Sequence, residues 1–189
     1  MLAEPNPEAI LATALDALSA DSDWREELDK LPAPIYVTDT QGSVTYWNEA
    51  CIALAGRVPQ LGSDRWCVTW KIYTTTGEFM PHDQCPMAQA IRHQRTIRDV
   101  VAIAERPDGT RIAFQPYPTP LFDAAGTLTG AINMLIDVTA EQGEALHSQA
   151  QRCRRLAGAI YNRESMTVLE DMADGFERTA AELRKPQAD

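Results

Sequence analysis

The run His82-Asp83-Gln84-Cys85-Pro86 sets an imidazole and a thiol three residues apart, and both groups ligate metals when suitably ionised. A structural zinc takes about four such ligands, and no second pair follows, so no metal site is expected. The pair then points either to chemistry facing a pocket or to packing beside a helix that Asp83 caps. His93 falls on the polar side of the next helical run with Gln89 and Arg92, away from Met87 and Ile91. The cysteines at 51, 67, 85 and 153 match neither a disulfide framework nor a four-thiolate site, and read as reduced, buried thiols.

Other residue types bear on binding rather than catalysis. Trp66, Trp70 and Tyr73 crowd a segment that Pro59, Gly62 and Gly77 keep irregular, so these rings either wall a cavity or plug the core over a small sheet. Asn133 is the polar residue inside the apolar run Ala131 to Ile136 and shares a face with Ala131 and Leu135. If buried, its amide needs a partner, which a ligand or the backbone could supply. No Gly-Lys-Ser/Thr loop, Gly-x-Ser-x-Gly elbow or His-Glu-x-x-His helix is present, so no catalytic residues are assigned and the chain reads as a non-enzyme.

The elements that must position these residues follow from pattern. Asn6-Pro7-Glu8 starts a helix whose Ile10, Leu11, Ala14, Leu15 and Leu18 form an apolar stripe. Trp24, Leu28 and Leu31 continue at helical steps until Pro32 and Pro34. Residues 1–30 therefore read as a helical cap or dimer arm. Ile35 to Thr38 and Val44 to Trp47 are short strands joined by Asp39-Thr-Gln-Gly42, and Asn48 stands where it could cap the helical run after it. A helix from Pro86 to Gln94 precedes three β segments, Ile97 to Glu105, Arg111 to Leu121 and Leu128 to Val138, with Asp108-Gly109 and Ala124 to Thr127 as reversals. Pro116, Pro118 and Pro120 alternate along the middle segment, which must there be unpaired, bulged or at an edge. Residues 143–189 read as two amphipathic helices around a turn at Asn162 to Ser165, with Gly158 and Gly175 weakening their continuity.

With 189 residues and 44% hydrophobic content, the chain holds one ordinary domain plus flanking helices. A net charge of −10 argues against nucleic acid and anionic membranes, Arg152, Arg154 and Arg155 being the tightest basic cluster. No apolar run reaches the roughly 18 residues of a spanning helix, and Glu4 and Glu8 stand where a secretory signal would carry positive charge. A cytoplasmic location is expected.

In its order of elements, and in Pro34-Ile-Tyr-Val-Thr-Asp39, Gly42, Val44-Thr-Tyr-Trp-Asn48, Arg106-Pro-Asp-Gly-Thr110, Gly126, Gly130 and Asp137-Val-Thr139, the stretch 31–142 resembles a PAS sensor domain. The resemblance implies an α+β fold with a five-stranded antiparallel sheet in the order 2-1-5-4-3, whose concave face and short helices enclose a pocket. Candidate pocket residues are Trp66, Trp70, Tyr73, His82, Cys85, Met87, Ile91, Phe114, Asn133 and Leu135. Asp137 and Thr139 are implied as coupling residues that fix the junction between the last strand and the helix after it; an ordinary helix start needs the same residue types.

The resemblance also frames the cofactor. Cysteinyl-flavin modules carry an Asn-Cys-Arg-Phe-Leu run that is absent here, which argues against that chemistry. Haem modules of the family use a His on the longest helix, where His93 stands, and Cys-Pro dipeptides such as Cys85-Pro86 occur in haem-responsive motifs; a haem or redox/gas sensor using His82, Cys85 or His93 is the alternative reading. Sensor kinases place a phosphoacceptor histidine where His147 lies, but Leu146-His-Ser-Gln-Ala150 lacks the usual acid and Pro. The expected protein is a bacterial stand-alone PAS module for signal transduction, without an output domain, that binds a small molecule or protein partner. A homodimer through the N- and C-terminal helices is expected, because their stripes exceed what a small sheet covers. A structural adaptor with a filled core, its three aromatic rings close-packed, is the third reading.

Overall fold

Asn6 opens the first helix as its residue type dictates, its Oδ1 accepting the Glu8 amide at 3.0 Å. The computed structural model describes residues 6–20 and 23–183. Glu4, and the parts of the N- and C-terminal segments at 1–5, 21–22 and 184–189, lie outside the described residues. The first helices are α1 (Pro7–Ser19) and α2 (Trp24–Asp29). Strands β1 (Ile35–Asp39) and β2 (Val44–Trp47) form the expected hairpin. Asp39 accepts the amides of Gln41 and Ser43, and Gly42 takes φ +81° to complete the reversal.

Asn48 does not cap the helix that follows, α3 (Ala50–Ala55). Its side chain accepts the Ile35 amide at 2.9 Å and donates to the carbonyls of Leu28 and Ala33 at 3.2 and 2.9 Å. All three partners sit upstream in sequence, so the amide ties the end of α2 to the start of β1. The guanidinium of Arg106 serves the far end of α3, donating to Leu54 and Ala53 carbonyls at 3.0 and 2.9 Å.

Beyond α3 come β3 (Lys71–Tyr73), β4 (Phe79–Met80), a 3₁₀ turn (His82–Gln84) and α4 (Pro86–His93). The turn's Asp83 makes no capping hydrogen bond to α4, contrary to expectation; Cys85 holds that position and Pro86 opens the helix. Strands β5 (Ala102–Glu105), β6 (Arg111–Pro116), β7 (Thr119–Phe122) and β8 (Leu128–Asp137) complete the sheet, ordered β2-β1-β8-β6-β5-β3-β4 with β7 also on β8.

The register explains the proline-rich segment. From Phe114 opposite Asp137 to Leu121 opposite Gly130 the register with β8 is the same, so β6 and β7 act as one strand that exchanges β5 for β8 at Phe114. Arg111 to Phe114 pair with β5, and from Phe114 onward β8 is the strand partner. Pro116, Pro118 and Pro120 direct their missing donors to the open side, while Tyr117 between them donates to Met134 at 2.8 Å. Counting β6 and β7 as one, the central order is the expected 2-1-5-4-3, extended at its edge by the β3–β4 hairpin.

Two layers cover the sheet. The concave side buries Tyr36, Phe114, Met87, Ile91 and Leu135 with α3 and α4. On the outer side α1 and α2 bury Ile10, Leu11, Ala14 and Leu28 against β1, β7 and β8. Helices α5 (Thr139–Ala157) and α6 (Arg163–Leu183) cover the other half, with Leu146, Ala180 and Leu183 on Ile103 and Ala113. Of the α1 stripe, Ile10, Leu11 and Ala14 are buried in this way and Leu15 and Leu18 partly so. Asn162 accepts the Ser165 amide at 2.9 Å as the start of α6, which runs through Gly175 unbroken.

Candidate functional site

Asn133 lies opposite Tyr36 on neighbouring strands, and both polar atoms of its amide find partners within the protein. Oδ1 accepts the Tyr117 amide at 2.9 Å; Nδ2 donates to the Tyr36 hydroxyl at 2.9 Å; that hydroxyl donates to the Trp66 carbonyl at 2.9 Å. The chain of bonds crosses the concave interior and needs no ligand to close it. Burial drives the tyrosine hydroxyl well above its usual range, so it stays protonated and keeps donating. Cys85 adds a thiol contact to the same Trp66 carbonyl at 3.7 Å, and burial pushes that thiol up to about 12, so it stays protonated.

Trp66 is where this interior network meets the surface. Its φ of +67° is strained for a bulky side chain, and the backbone is held from both sides, its amide donating to Gly42 at 2.7 Å. The indole ring covers Gly42 so closely that a Cβ there would lie 2.3 Å from ring atoms. Trp66, Trp70 and His82 line an open cleft of about 500 Å³ together with Arg57, Asp64 and Asp83. Arg57 and Asp64 form a two-pronged ion pair along it, and Asp64 also accepts the Gln60 amide at 2.8 Å. Trp70 is 51% exposed, against the close packing that a filled-core adaptor requires of it.

His82 lines the cleft and carries an unsatisfied polar atom. Its Nε2 is buried and has no hydrogen-bond partner. Burial lowers the ring's proton affinity below the ordinary histidine range, with a Thr69 backbone hydrogen bond opposing, so the imidazole is neutral at neutral pH. A neutral ring nitrogen without a partner costs about 1–3 kcal/mol relative to a satisfied one, and a bound molecule can recover it.

The remaining candidates lie elsewhere. Cys85, Met87, Ile91, Phe114 and Leu135 are packing residues of the concave core, in contact with one another rather than with the cleft. Tyr73 is separated from Trp66 and Trp70, on the outer side of β3 against Phe176, with Phe79 at its edge and the Arg111 guanidinium 4.2 Å above its ring. The three aromatics therefore do not wall one cavity, because the pleat of β3 sends the tyrosine to the opposite side. His93 is exposed at the end of α4, away from the concave core. Among the described residues no three His, Cys, Asp or Glu side chains converge as metal ligands.

A family model described as the PAS fold matches residues 28–143, more than half of the chain. The chain belongs to the PAS-fold family. No curated protein matches it. Among solved structures it is similar to the Rhodobacter sphaeroides LOV protein, at 14% identity over 95% of this chain and 97% of that one, TM-score 0.43. It is similar also to VqmA bound to DPO, at 18% identity over 82% and 84%, TM-score 0.42. A PAS domain from Colwellia psychrerythraea matches at 17% identity over 60% of this chain and 92% of that one, TM-score 0.40.

In this PAS domain the junction after β8 is built by the two residues singled out for it. Asp137 accepts the amide and hydroxyl of Thr139 at 2.9 and 2.5 Å, and the Thr139 oxygen in turn accepts the Ala113 amide at 3.1 Å. Val138 donates to the Ala113 carbonyl at 2.9 Å, so strand β6, the end of β8 and the first turn of α5 are pinned at one point. Sequence reasoning missed Arg57 and Asp64, whose pairing depends on the loop between them; the signal available was their opposite charge beside Trp66. No helix among the described residues is long and apolar enough to cross a membrane.

Proposed function

We propose that this PAS domain is a signal-sensing module whose ligand enters the Trp66–Trp70–His82 cleft, not the concave core. The unpartnered, buried His82 Nε2 carries this reading, since a ligand hydrogen bond would satisfy it. Two indoles beside it favour a small planar molecule with one polar edge. Occupancy would bear on Trp66, whose carbonyl receives the Tyr36–Asn133 chain, and so on β1 and β8. From β8 the route runs through Asp137 and Thr139 into α5 and α6, which act on a partner protein in the cytoplasm without chemical turnover.

The test is native mass spectrometry of protein purified from its source, followed by tryptophan-fluorescence titration with indole, phenol and benzoate. Retained mass, or quenching that His82→Phe abolishes, is expected. Protein of bare mass whose fluorescence none of the probes changes would sink the proposal. A visible absorption band would favour the haem or flavin reading instead.

The second reading is an adaptor, favoured by the closed packing of Tyr36, Phe114, Met87 and Leu135. It predicts Trp70→Ala to leave every binding property unchanged.

A further inference from the structure

A cavity of about 180 Å³ lies between the turn of the β3–β4 hairpin and α6, walled by Thr76, Met172, Gly175, Phe176 and Thr179. Unlike the Trp66–Trp70–His82 cleft, it has no charged side chain in its wall. Its two hydroxyls already have partners. Thr179 Oγ1 donates to the Gly175 carbonyl at 3.1 Å, and Thr76 Oγ1 stands 2.7 Å from Thr74 Oγ1. A water held inside a protein needs several polar partners, and little is left here to supply them. The space therefore suits an apolar molecule.

Gly175 keeps that space open. Glycine inside a helix is disfavoured beside alanine, and a left-handed backbone or a neighbour that leaves no room for a methyl group is its usual reason. Neither holds at Gly175, which lies within α6, is absent from the positive-φ glycines, and would set a Cβ with nothing within 4 Å. Met172, Gly175 and Thr179 follow at three and four residues along one face of the helix, so a side chain at 175 would project between the other two.

The opposite wall is the hairpin turn, closed by the Thr74 amide donating to the Glu78 carbonyl at 2.8 Å. The turn comes close to the helix at one end, where a Cβ on Gly77 would lie 3.9 Å from Thr179 Oγ1. Phe176 belongs both to the cluster that holds Tyr73 of β3 and to the α5–α6 seam with Cys153 and Ala173. A molecule resting on its ring would touch the sheet edge and α6 together. An engineered cavity of about 150 Å³ lined by aliphatic and phenyl side chains takes up benzene, and this one is slightly larger.

We infer that this cavity is a binding site for a small uncharged apolar molecule about the size of a benzene ring, seated between Phe176 and the β3–β4 turn. Binding here does not depend on occupancy of the cleft.

Benzene is the probe, added to the full chain carrying ¹³C-methyl methionine, with the Met172 methyl resonance as reporter. That resonance is expected to shift saturably with benzene and to stay in place with benzoate, the same ring bearing a charge. Gly175→Leu, with unchanged far-ultraviolet circular dichroism, should weaken benzene binding at least about tenfold. A Met172 methyl that stays unmoved when the buffer is saturated with benzene overturns the inference, as does benzoate binding equally well. A response confined to the indole resonances of Trp66 and Trp70 would place benzene in the cleft and overturn it too. Benzene affinity that is indifferent to Gly175→Leu does the same. Should leucine disturb the helix, Gly175→Ala decides: its methyl group meets no neighbour within 4 Å, and it should weaken benzene binding about threefold, an unchanged affinity counting against the site.

Discussion

Asn133 on β8 and Tyr36 on β1 face each other across the strand pair, joined amide to hydroxyl at 2.9 Å with both side chains buried. The bond is one link of a chain from the Tyr117 amide to the Trp66 carbonyl, so each residue satisfies two polar neighbours. Removing one partner strands the other in a water-free interior. Asn133→Ala and Tyr36→Phe should each cost about 1–3 kcal/mol in urea unfolding, and the double variant should cost clearly less than the sum. Additive losses would show that the two side chains act independently.

Gly42 and Trp66 are coupled by space and by backbone. A methyl group at Gly42 would collide with the indole and would also have to sit at φ +81°. Gly42→Ala is expected to destabilise by about 1–3 kcal/mol and to move the Trp66 ring, which near-ultraviolet circular dichroism reports. An unchanged spectrum would mean that the ring is not held by this contact.

His82 should make stability depend on pH in a definite direction. Burial puts its folded-state pKa below the unfolded value of 6.5. Above that value both states hold a neutral ring and the residue contributes no slope. As pH falls below 6.5 the unfolded chain takes up the proton first, so stability drops until the folded ring is protonated too. Unfolding measured from roughly pH 8 to pH 5, the span of an ordinary histidine titration, should show a smaller acid loss in His82→Gln than in the unaltered protein. The ring's nuclear magnetic resonance titration midpoint should lie below 6.5; a midpoint at or above it would reverse the prediction.

The Asp137–Thr139 junction predicts a mechanical effect. Thr139→Val removes the oxygen that bridges Asp137 to the Ala113 amide while keeping the side chain's shape. It should cost about 1 kcal/mol and speed hydrogen exchange through the first turns of α5, with β1 and β2 unaffected. Exchange that stays at its original rate in α5 would leave the junction no part in holding that helix.

Arg106 offers a separate test of α3. Its guanidinium reaches two carbonyls at once and is 7% exposed, a geometry a lysine ammonium cannot reproduce. Arg106→Lys should therefore lose stability, and Arg106→Met should lose more, within about 1.5–3 kcal/mol for charge-assisted bonds.

The elements and their order are legible in the chain because they follow from local chemistry. Asp39 and Gly42 specify one reversal, Asp108 and Gly109 another, and the apolar stripes of α1, α5 and α6 are written at helical spacing. The proline alternation even foretold a strand with an open side. Tertiary structure decided what each group touches. Asn48 looked like a cap by position, yet its amide serves residues upstream, a choice made by where α2 and β1 end. Trp66, Trp70 and Tyr73 look alike in sequence, but the pleat of β3 puts the tyrosine on the outer side of the sheet and leaves the tryptophans at the cleft. Asn133 was legible as a polar residue on an apolar strand; that Tyr36, ninety-seven residues away, would be its partner was not, because that contact exists only once β1 and β8 pair.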